Sequence, residues 1–208
     1  MNNKGNLGLV TGILLIGFIL IGAVSASVIM KNTTNVSDTD LNHITNEVVD
    51  ELTSYLQIKD IVGKYQTIQG EQKIQKIAIL IQPLVSGTVD LTDLIIKISN
   101  GEQLHLLNYD GNSNPLGAYS LFDHPLWNTI KEDSFTLVPV IDDDASMTTN
   151  HVMNKNTDTV FIIIKLPEDS MMNKDSTLQI TLLPSPGMER TVTIEAPLPT
   201  SHVVTLYE

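Results

Sequence analysis

The chain's best-placed reactive groups are Asp142, Asp143 and Asp144, three adjacent carboxylates directly after an apolar run. Oxygen-rich clusters of this kind hold calcium or magnesium when loop geometry turns several oxygens inward. The spacing here argues against it. No D-x-[DN]-x-[DN]-G string follows, and three consecutive side chains do not converge on one point, so a solvated acidic loop is expected, with a cation site as a weak alternative. The five histidines (His43, His105, His124, His151, His202) are scattered and lack the H-x-x-x-H or HExxH spacing of a metal site. No G-x-S-x-G elbow, GxGxxG string or P-loop occurs, and the chain has no cysteine to serve as nucleophile, thiolate ligand or disulfide. Neither catalysis nor a cofactor is expected. Two glycosylation sequons, Asn32-Thr33-Thr34 and Asn35-Val36-Ser37, complete the list. Asn32 and Asn35 are candidate glycan acceptors if the chain is exported.

The elements that would carry these groups begin with residues 7–30, which run without a charge behind the short stub holding Lys4 and Gly5. A helix of that length spans the roughly 30 Å hydrocarbon core of a bilayer. It is too long for the usual signal-peptide core and lacks an A-x-A cleavage site behind it. Cleavage after Gly5 would start the mature chain at Asn6 and leave the apolar run in place. Gly8, Gly12, Gly17, Gly22 and Ala26 recur at four- and five-residue steps, which suits close packing of helix against helix. The segment contains no ionisable group and so is no ion pathway. Two fates remain open for it: membrane anchor, or a core covered by other copies.

Past a polar patch at 31–40, apolar residues return at Leu41, Ile44, Val48, Leu52, Tyr55 and Ile58, which is one helical face. A helix is therefore expected from about residue 6 to about 60. At 1.5 Å per residue it is roughly 80 Å long, more than a bilayer needs. From Gln72 onward the period falls to two. Strands are expected near 74–82, 93–99, 102–109, 134–141, 159–166, 176–183, 189–196 and 202–207. Asn100-Gly101 predicts a type I′ hairpin turn, and Asn108 to Pro115 reads as a loop. The fold class is thus α+β: a long N-terminal α-helix at 6–60, then an antiparallel, immunoglobulin-like β-sandwich over 61–208. A net charge of −12 disfavours nucleic acid as a partner.

Several strings together resemble the archaeal flagellins (archaellins), the subunits of the archaellum filament. Lys4-Gly5 matches the family's leader cleavage pair, and Gly8 falls at the third mature position. Val10 stands where type IV pilins usually carry Glu. The run from Lys76 to Pro83, that from Val89 to Ser99, and the closing Val203-Val204-Thr205-Leu206-Tyr207 also look like the family's. The resemblance implies removal of residues 1–5 by a prepilin-like peptidase and a membrane-held precursor. It also implies polymerisation, alone or with other archaellins, into an extracellular filament used for swimming, with the helix inside and the sandwich outside. A membrane-anchored accessory or stator protein, or an adhesion pilin, is the alternative reading.

Overall fold

Runs of Ile, Leu and Val with polar residues at every second position make a sheet wherever one face can be buried and the other solvated. The computed structural model describes residues 55–185 and 187–207, and in them this pattern yields eleven strands. These are β1 (Leu56–Ile68), β2 (Glu71–Pro83), β3 (Val89–Asp90), β4 (Ile95–Ser99), β5 (Leu104–Ser113), β6 (Ser134–Ile141), β7 (Val152–Met153), β8 (Thr159–Lys165), β9 (Thr177–Leu183), β10 (Arg190–Glu195) and β11 (Val203–Tyr207). Nine form one sheet in the order β10-β9-β4-β5-β6-β8-β2-β1-β11, while β3 and β7 pair separately.

The sheet folds over on itself. β5 makes the corner, pairing with β4 on one side and with β6 on the other. The two end strands, β10 and β11, then approach each other, so the sandwich is nearly closed. Between the layers lies one core in which Ile61, Ile77, Ile79, Phe135, Ile162 and Ile164 of one side meet Ile96, Ile98, Ile180, Leu182 and Ile194 of the other. Each fully buried Ile or Leu contributes about 1.5–3 kcal/mol relative to an exposed one. The core is thus large enough to hold the domain without disulfides.

All eight expected strand runs are strands, with ends shifted by a few residues. Four features differ from expectation. First, the sequence predicts a helix as far as about residue 60, but β1 begins at Leu56, so Ile58 belongs to a strand and Tyr55 immediately precedes it. Tyr55 and Ile58 continue the three- and four-residue steps of Leu41 to Leu52, whereas the buried residues at the start of β1 are Leu56 and Ile58, two apart as on a strand.

Second, the β4–β5 hairpin closes with four residues, Asn100 to Gln103, rather than the two of a type I′ turn. Asn100 Oδ1 accepts from the backbone N–H of Glu102 (3.0 Å) and Gln103 (2.7 Å), and Gly101 sits at φ 91°. The two-residue turn lies instead at Gln69-Gly70 between β1 and β2, with φ 54° and 86°. Third, Asn108 to Ser113 continue β5 and are no loop. Fourth, the β5–β6 pairing is parallel, so the sheet is continuous and mixed, not two purely antiparallel sheets.

Parallel pairing forces the chain to return along the domain between β5 and β6, and residues 114–133 do so across the outer face of β2, β8 and β6. There Phe122, Trp127 and Ile130 pack on Ala78, Ile163 and Val138 as a second, smaller core. The Phe122 and Trp127 rings are stacked at 5.7 Å, and Trp127 Nε1 donates to the Leu121 carbonyl at 2.8 Å.

Candidate interaction surfaces

The leader residues Lys4, Gly5, Asn6 and Gly8 lie outside the described residues. So do the packing residues Gly12, Gly17, Gly22 and Ala26, the helix-face residues Leu41, Ile44, Val48 and Leu52, and the sequon residues Asn32 and Asn35. Of the helix-face residues, Tyr55 and Ile58 are described, and the Tyr55 backbone marks where β1 begins. Its carbonyl accepts from Leu84 N–H at 3.0 Å, which ties the start of β1 to the end of β2. Tyr55 lines a shallow recess with Gln57, Lys59, Arg190 and Tyr207, where β10 and β11 come together.

The aspartate triplet is occupied by protein donors. Asp142 accepts from the backbone N–H and hydroxyl of Thr148, both at 3.1 Å, and so caps the one-turn helix α1 (Ser146–Thr149). Asp144 accepts from Asn154 Nδ2 at 2.9 Å and Ser146 N–H at 3.2 Å, with Lys155 Nζ at 3.3 Å. Hydrogen bonds from Asn154 and Ser146 hold its carboxyl well below the usual carboxylate range. Asp143 stands exposed between them. The three carboxylates do not converge: one caps a helix, one ties the loop to residues 154–155, and one is solvated.

The described histidines are likewise used one at a time. His105 Nε2 is 3.0 Å from Asp169 Oδ1. His124 is buried, and its Nε2 lies 3.2 Å from the Pro115 carbonyl. His151 Nδ1 meets the Tyr109 hydroxyl at 3.0 Å, and burial, with Asp110 beside it, pushes that phenol's pKa up. Among the described residues no group of three or more His, Cys, Asp or Glu side chains gathers to hold a metal.

One charged feature escaped sequence reasoning because it is assembled by strand register. Lys64 on β1 faces Lys76 on β2, and Lys76 faces Lys165 on β8, which makes a row of three lysines across neighbouring strands. Lys64 Nζ lies 5.9 Å from the Phe122 ring centre and Lys76 Nζ 5.1 Å from that of Trp127. The positions 64, 76 and 165 carry no common sequence signal. Only the pairing joins them.

An acidic sandwich following a long uncharged apolar run is a plan that suits a chain whose run is covered by lipid or by other copies. Comparison with known proteins makes this specific. The family model for archaeal-type flagellin matches residues 5–194, and the chain belongs to that family. Flagellin B3 of Methanocaldococcus jannaschii is 28% identical over 214 residues, covering 99% of this chain and 96% of that one. The crystal structure of archaeal flagellin FlaB1 from the same organism has a TM-score of 0.63 at 24% identity, over 73% of this chain and 95% of that one. A subunit of the archaeal flagellum of Methanospirillum hungatei strain JF1 has a TM-score of 0.54 at 13% identity, over 96% and 99% of the two chains. These two structural likenesses are of fold. Family membership makes the chain a structural filament subunit and not an enzyme.

Proposed function

We propose that this chain polymerises through its apolar N-terminal segment into an archaellum filament that serves swimming, with the β-sandwich on the outside. The observation that carries this reading is the uncharged run at 7–30, attached to a domain of family fold that needs no help to cover its own core. A prepilin-like peptidase cuts after Gly5. The run then holds the precursor in the membrane and later becomes part of the filament core, where the small residues Gly8, Gly12, Gly17, Gly22 and Ala26 allow close helix packing. Leu41, Ile44, Val48 and Leu52 continue the helix as an amphipathic stretch. Asn32 and Asn35, just beyond the run, are the proposed glycan acceptors in the exported chain.

Subunits joined in this way use a contact between two different patches, and such contacts extend into an open helix without closing. The acidic outer domains keep finished filaments soluble and apart from one another. Gly17→Glu tests the core assignment, because it places a charge where helices are to pack. The expected outcome is loss of filaments by electron microscopy, with the β domain retaining its native circular dichroism in membrane-extracted chain. Normal filaments from this variant would refute core packing through the apolar run.

A further inference from the structure

Lys64, Lys76 and Lys165 stand directly opposite one another on β1, β2 and β8, each partly buried. Side chains in that relation have Cβ atoms about 4.5–5.5 Å apart, and like charges so placed repel. The chain has 12 Lys and Arg against 24 Asp and Glu, so gathering three cations in one row runs against its general charge. Asp123 reaches Lys64 at 3.5 Å, but its side chain is 73% exposed and it is a single carboxylate for three ammonium groups. Burial, and then the charge of Lys64, lower the pKa of Lys76. Asp123 acts in the opposite direction, and Lys165 adds to the lowering. Among the described residues the row stays under-neutralised, on a floor formed by the stacked Phe122 and Trp127 rings.

We propose that this lysine row is the docking site for a carboxylate-bearing surface of a second copy of the chain within the filament, an inference that rests on the filament-subunit reading. Two processed copies, each at −13 because removal of Lys4 takes one positive charge from a chain of −12, repel over most of their surfaces, and the row is where approach becomes attractive. Row against row would place six lysines face to face. The row therefore meets a different, acidic patch, and that is the heterologous pairing an open polymer requires.

The test replaces Lys76 and Lys165 together by Gln in filament-forming cells and measures two melting temperatures. One is that of sheared filaments across a salt series; the other is that of detergent-dissociated full-length subunits. Filaments of K76Q/K165Q are expected to dissociate several degrees below wild type at low salt. The gap should close toward 1 M salt, where the screening length falls to about 3 Å. Their dissociated subunits are expected to melt no lower than wild type, because internal repulsion has been relieved, and K76R/K165R filaments should behave as wild type. Filaments of the Gln variant that match wild type at low salt overturn the proposal. So does a parallel drop in subunit melting, which marks a structural role, or a difference that appears only with added sulfate or phosphate, which marks a free-anion site. Absence of the wild-type chain from sheared filaments would instead remove the filament reading beneath it.

Discussion

Asp144 and Trp127 show what single side chains do in a domain without catalytic work. The Asp144 carboxyl is held below its ordinary range when folded, so its contribution to stability is present above the unfolded carboxylate value of about 3.9 and fades as pH falls below that. Asp144→Asn should therefore lower stability at neutral pH, where that contribution is present, and change it least in acid, so that the acid side of the stability curve flattens below about pH 4, as read from chemical denaturation at several pH values. A curve of unchanged steepness would show that Asp144 titrates normally. Trp127 is 5% exposed and is the only tryptophan in the chain, so its fluorescence reports on the segment that covers the outer face of β2 and β8. Trp127→Ala is expected to cost about 3 kcal/mol, since it empties the centre of the second core and removes the stack with Phe122. The sequence pointed to Asp144 only as one of an acidic triplet and passed over Trp127. An aspartate triplet reads as a solvated loop or a weak cation site until its donors are seen, and the aromatic pair packs on Ala78 and Ile163, strand residues distant from it in the chain.

At the scale of elements, alternation of apolar and polar residues was a sufficient guide wherever a strand was regular. The runs at 134–141 and 159–166 illustrate this: β6 and β8 occupy them almost residue for residue. Legibility failed where the period was interrupted. Tyr55 and Ile58 prolonged the three- and four-residue steps of 41–52 into what is β1, and a glycine-containing stretch at Asp110 to Asn112 looked like a turn although β5 passes through it with a shifted register. The tight β1–β2 turn was also hidden, because Gln69 is not a residue that favours positive φ. Gln69→Asn, which tolerates that conformation, should stabilise the domain by roughly 0.5–1 kcal/mol, and Gly70→Val should destabilise it. Thermal melting checks both, and equal effects of the two would contradict the turn assignment. At Gly63 an added Cβ would come within 2.9 Å of Ile74 Cγ2 and Leu206 Cδ1, so β1 and β11 close together only over a bare backbone. Gly63→Val is expected to cost about 1–3 kcal/mol and to loosen β11 first, which hydrogen exchange at residues 203–207 would register.

The molecule as a whole joins a self-sufficient sandwich to an apolar run that is not self-sufficient. The sandwich buries its own Ile-rich core and turns an acidic surface to solvent, whereas residues 7–30 need either lipid or copies of themselves. That asymmetry was visible in the sequence, and the archaeal-type flagellin model matches across both parts, over residues 5–194. Contacts between outer domains were not visible, because the lysine row exists only once β1, β2 and β8 are in register. The central claim is that this chain builds the filament after losing residues 1–5 and keeping the apolar run. Mass spectrometry of peptides from sheared, washed filaments tests it most directly. This chain is expected as an abundant filament component whose N-terminal peptide begins at Asn6. Filaments that lack the chain, or a filament-borne chain that begins at Met1 or beyond residue 30, would contradict it.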